Sequence, residues 1–140
     1  MKPLMCFVAI TLCVLALIPR AAISGETEDQ AVKVAEAWLD LVDHGEYAKS
    51  WQEAAALFRS AITVEQWQQA LNAARKPLGE LKSRKLKGSK YVTSLPGAPD
   101  GEYVVIQFDT SFANKEEAVE TVTPMKEEDG VWRVSGYYVK

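Results

Sequence analysis

From Val104 the chain alternates: Val104, Ile106, Phe108 and Phe112 fall on one side, and Tyr103, Gln107, Asp109 and Ser111 on the other. A period of two over this length predicts a strand with one face in a core and the other wet. The turn cluster Pro96-Gly97-Ala98-Pro99-Asp100-Gly101 precedes it, with prolines that fix φ and glycines that permit positive φ.

Upstream the period is helical. Thr27 can cap a first helix whose stripe is Ala31, Val34, Ala35, Trp38, Leu39 and Val42, and Gly45 stops it. A short second pattern runs from Tyr47 through Trp51, Ala54, Ala55 and Phe58 to Ile62, with three successive alanines that let a neighbour approach closely. Thr63 with Gln66 has the form of a capping box and opens a third helix through Trp67 and Leu71, which Pro77 and Gly79 close. After Gly79 the pattern changes to strand, over 81–86 and again over 91–95, with an interruption at Gly88.

Past the long strand, residues 114–117 read as a polar connection and 119–125 as a β-branched strand. Pro124 there marks an edge, a bulge or the end of pairing. Asp129-Gly130 signals a hairpin turn, and 131–139 closes the chain with Trp132, Val134 and Tyr138 expected on one face. The order predicts an α+β fold, three N-terminal helices packed on one face of a curved antiparallel sheet of three to four strands.

The first residues change the picture most. Lys2, the apolar run 4–18 and the small residues Ala22-Ile23-Ser24 have the form of a secretory signal, with cleavage expected near Ser24. The run is short for a bilayer span, so removal is favoured over retention as an anchor. Residues 1–24 are therefore read as signal peptide and 25–140 as a single domain. Cys6 and Cys13 both leave with the signal, so no thiol remains for a disulfide, a metal or a nucleophile. Lys2 and Arg20 leave too, so 14 basic side chains face 19 acidic ones, a net of −5 that argues against a nucleic-acid partner. The expected location is the bacterial periplasm or the exterior.

Four stretches carry a resemblance: AWLDLVDHGEYAKSW, EQWQQALNAARKPLGELKSRKL, LPGAPDGEYVVIQFDTSF and AVETVTPMKEEDGVWRVSGYYVK. Together they resemble a family of small exported bacterial proteins catalogued as a domain of unknown function, of the four-thousand-nineteen type. The shape looks like the nuclear-transport-factor-2-like (NTF2-like) or cystatin-like group. That resemblance implies an exported domain with helices in the concavity of a bent sheet, a fold that hosts both enzymes and binding modules.

Candidate chemistry is sparse. Asp40 and the lone histidine, His44, stand at i and i+4 on one helix face and could serve as acid and base if both project into an enclosed cavity. The competing reading puts His44 in the last helical turn, bonding free carbonyls. Trp38, Trp51, Trp67, Phe108 and Tyr138 could line a pocket for a small apolar ligand, although each tryptophan also falls on a core stripe. Tyr137 and Tyr138 are split between faces. Arg75, Lys76, Lys82, Arg84, Lys85, Lys87 and Lys90 form a basic run, read chiefly as a solvated or pairing-resistant edge, and Glu102 and Asp109 as solvated acids. No phosphate loop, Ser-His-Asp arrangement or metal-ligand spacing occurs, so no cofactor is expected.

The sequence thus favours a non-enzymatic envelope module binding a small apolar ligand or an envelope protein. A small hydrolyase or isomerase using Asp40 and His44 is the alternative, and a membrane-tethered interaction domain follows if residues 4–18 are retained. Homodimerisation through sheet faces is an expectation carried over from similar folds.

Overall fold

The computed structural model describes the backbone of residues 20–140 and the side chains of residues 25–140. The expected signal segment falls outside these, apart from the backbone of its last five residues. The elements are α1 (Arg20–Asp43), α2 (Tyr47–Gln52), α3 (Ala56–Ala61), α4 (Val64–Ala74), a 3₁₀ turn (Lys76–Leu78), β1 (Leu81–Val92), β2 (Glu102–Phe112), β3 (Lys115–Lys126) and β4 (Trp132–Val139). The four strands form one antiparallel sheet in the order β1-β2-β3-β4. This is the α+β class the patterns predict, with the second helical pattern broken in two.

That break has a cause in packing. Ala54 and Ala55 are fully buried, and the Ala55 amide donates to the Val134 carbonyl at 2.8 Å, a bond that a continuous helix would have kept for itself. The alanines allow the close approach to β4. α4 starts as its sequence dictates, with Thr63 Oγ1 accepting from the Gln66 amide and Gln66 Oε1 accepting from the Thr63 amide. α1 is already helical at Arg20 and runs through Thr27, which therefore does not cap it, and is followed by Gly45 at φ +74°, the left-handed conformation that ends many helices.

The dry interior lies between the helices and one sheet face. Ala31, Ala35, Trp38, Leu39 and Val42 of α1 meet Val104, Ile106, Phe108, Val122 and Val134 of the sheet. Burying a side chain of this size is worth roughly 1.5–3 kcal/mol, so this contact is the main source of cohesion. Trp67 and Leu71 of α4 and Phe58 of α3 complete it.

Two strand details differ from expectation. Tyr103 alternates onto the face away from the helices yet is only 1% exposed, because the turn over 96–101 folds back and its Oη donates to the Pro99 carbonyl at 2.6 Å. Along β4, Pro124 pairs with Val134 and Thr123 with Gly136, so Ser135 is an extra residue, and its hydroxyl donates to the Thr123 carbonyl at 2.7 Å. A one-residue bulge reverses the side-chain parity beyond it. Trp132 and Val134 therefore face the helices, but the next inward tyrosine is Tyr137, and Tyr138 is 51% exposed on the opposite face. Of the readings open for Pro124, the bulge holds: β3 is an inner strand and pairing continues past it.

Candidate functional site

The principal constellation of ionisable groups lies inside the fold, between the end of α1, the end of α4 and the sheet. α1 runs to Asp43, α4 is followed by Arg75, β1 supplies Arg84, β2 Thr110, β3 Glu120 and β4 Tyr137. Glu120 comes to the interior by parity, because it shares its face of β3 with Ala118 and Val122. Its side chain has no exposed surface.

The contacts saturate it. Arg84 Nε donates to Glu120 Oε1 at 2.8 Å, and Thr110 Oγ1 donates to the same oxygen at 2.7 Å. Tyr137 Oη donates to Oε2 at 2.6 Å. Arg84 also reaches Asp43 with both terminal nitrogens, at 2.7 and 2.9 Å, a forked geometry that matches a carboxylate. Arg75 joins from the helix side, Nη2 to Asp43 Oδ1 at 3.2 Å and Nη1 to the Gly79 carbonyl at 2.7 Å, with its guanidinium 4.3 Å from the Phe112 ring centre. Arg75 Nε has no partner among the described residues.

Two guanidinium groups and two carboxylates leave the cluster formally neutral, which is the condition under which charges persist in such a site. Burial pulls the Arg84 pKa down, but its bonds to Asp43 and Glu120 outweigh that and raise it. Burial pushes the Tyr137 phenol far above its ordinary value, and the Glu120 charge and hydrogen bond add to the push. The phenol is a firmly held proton donor to Glu120.

Tyr137 also borders the aromatic half of the interior. Its ring lies 5.5 Å from Trp38 and 6.4 Å from Trp67, and Trp67 meets Phe58 edge-on at 4.9 Å. Ser50 ties the indoles down: Trp38 Nε1 donates to its carbonyl at 2.8 Å and Trp67 Nε1 to its hydroxyl at 2.9 Å.

Of the residues proposed as pocket lining, Trp38, Trp67 and Phe108 are buried together in the core and Trp51 is half-buried, with its Nε1 on the Ile62 carbonyl at 2.8 Å. Tyr138 does not join them, because the Ser135 bulge turns it to the other side of the sheet. Asp40 and His44 are both exposed, and His44 Nδ1 lies 2.6 Å from the Asp40 backbone carbonyl. That is the helix-end role; the enclosed cavity an acid–base pair needs does not surround them.

The basic run divides. Arg75 and Arg84 turn inward, whereas Lys82, Lys85, Lys87 and Lys90 stay exposed along β1. Asp43, Thr110 and Glu120 escaped the pattern reading, though an acid in phase with Ala118 and Val122 was a legible sign. On the open sheet face, a depression of about 600 Å³ lies over Ser83, Lys85, Asp109, Ser111 and Val119. Among the described residues, no helix is long and apolar enough to cross a membrane, and no group of three or more His, Cys, Asp and Glu stands ready for a metal ion.

Helices on one face of an open four-stranded antiparallel sheet, with a neutral ionic cluster sealed between them, define an α+β domain. Residues 34–137 match the DUF4019 family, described as proteins of unknown function, and the chain belongs to that family. No curated protein matches it.

Proposed function

We propose that this protein is an exported binding or interaction module of the bacterial cell envelope, without catalytic activity of its own. The observation that carries this reading is the one-sided architecture. All four helices pack on one sheet face, while the other presents Tyr138 half exposed beside the partly covered Val105, Val119 and Thr123. The interior ionisable groups bond one another, so recognition falls to the open face and to the strand edges. The signal-like residues 1–24 support export, after which the domain would act in the periplasm or outside the cell.

Native mass spectrometry of the protein taken from envelope fractions tests this. The expected result is a chain beginning near Gly25 that carries a retained ligand or partner mass. A full-length chain recovered only from the cytosol would sink the export half of the reading, and turnover of a small substrate by the purified domain would sink the other.

A further inference from the structure

We propose that the outer edge of β4 pairs antiparallel with the same edge of a second copy, with Tyr138 opposite Tyr138 on a two-fold axis. Val119 and Lys140 exchange both backbone hydrogen bonds, so along this regular stretch Tyr138 and Gly136 also point their backbone groups at β3. The amides and carbonyls of Tyr137 and Val139 therefore point away from the sheet. Among the described residues nothing bonds them. The edge is covered only further back, where the Ala55 amide takes the Val134 carbonyl.

The opposite edge is spoiled for pairing. β1 has register shifts at Lys82 and Lys87, exposed lysines along its length, and Glu28 of α1 accepting from the Tyr91 amide at 3.2 Å and the Ser89 hydroxyl at 3.1 Å. β4 has no such defence beyond Ser135.

A second copy fits this edge because the segment is complementary to itself. With Tyr138 on the axis, Tyr137 and Val139 of one copy meet Val139 and Tyr137 of the other as hydrogen-bonded pairs, giving four new backbone bonds. Lys140 falls opposite Gly136, so no like charges face each other across the join. The paired stretch ends before Val134, so the Ala55 bond survives. Tyr138 faces its twin in the closer, non-hydrogen-bonded position on the open side of the sheet, which covers the exposed ring. An axis at Tyr137 would set the Ser135 bulge against Val139.

Placing Tyr138→Cys in the full chain, with Cys6→Ser and Cys13→Ser, reads the register directly. Non-hydrogen-bonded partners stand about 4.5 Å apart at Cα, within the reach of a disulfide. Oxidation is expected to give a disulfide dimer in several-fold higher yield than Asp109→Cys, an exposed site on the same face. Tyr138→Lys sets two ammonium groups on the axis; at concentrations where the parent sediments as a dimer it should sediment as a monomer, with a thermal melt matching that of the parent diluted to its monomer.

Equal cross-linking at both sites, a parent chain that stays monomeric up to millimolar concentration, or a dimer that survives Tyr138→Lys would each overturn the proposal. So would a monomer that captures unrelated extended peptides at β4. The inference specifies a partner for the interaction reading but does not need export, since the cross-link forms or fails with or without the leader.

Discussion

The interior has two ends built on opposite rules. At one, Trp38, Trp67, Phe58 and Tyr137 fill space with rings held at defined tilts; at the other, Asp43, Arg75, Arg84 and Glu120 fill it with charges held by their partners. Damage at the aromatic end should scale with the volume removed. Damage at the ionic end should scale with the charge left unmatched, so removing more atoms can there cost less. Tyr137, touching both, obeys both rules.

The largest effect is expected from Glu120→Ala, which strands Arg84 and the Tyr137 hydroxyl; breaking one member of such a pair costs about 3–5 kcal/mol. Chemical denaturation should show a midpoint far below the parent. The double change Arg84→Met with Glu120→Leu leaves the neutral Arg75–Asp43 pair in place and should be less destabilised than Glu120→Ala alone. A double variant worse than the single would show that volume, not charge, governs this end.

At the aromatic end, Ser50→Ala removes the acceptor of the Trp67 indole without opening a large void. The unsatisfied donor should cost about 1–3 kcal/mol, read by the same titration. Tyr137→Phe sharpens the comparison through pH. The folded phenol keeps its proton above the ordinary tyrosine range, so its contribution is fully present below about pH 10. As pH rises past the unfolded value, the unfolded chain releases that proton and the contribution falls. The parent melting temperature should therefore drop more steeply between pH 10 and 12 than that of Tyr137→Phe. The smallest effect is expected from His44→Gln, within about 0.5 kcal/mol, because the ring is exposed and bonds a single carbonyl.

The helical stripes and the Val104-Ile106-Phe108 face were legible because their periods survive into the structure, and the capping box at Thr63 and Gln66 is local chemistry that nothing overrides. The charged cluster was harder to read because Asp43, Arg75, Arg84 and Glu120 come from four separate parts of the chain, and pairing across them depends on register. Arg84 looked like one more cation in a basic run, and only the fold shows that its neighbours Lys82 and Lys85 point elsewhere. Asp43 carries no local signal, because its partners stand 32 and 41 residues away in sequence. The placement of Tyr138 was misread for a different reason, since strict alternation was extended through a residue the ladder does not count.

That uncounted residue absorbs a difference in chain length, so the partners on β3, and not the number of positions along β4, decide what the open face displays. Deleting Ser135 would close the ladder with Gly136 directly after Val134, remove the bulge, and leave Tyr137 beneath the helices and Tyr138 on the open face. A chain that lost that one position would present the same outer surface, an equivalence that counting alternate letters along the strand would miss.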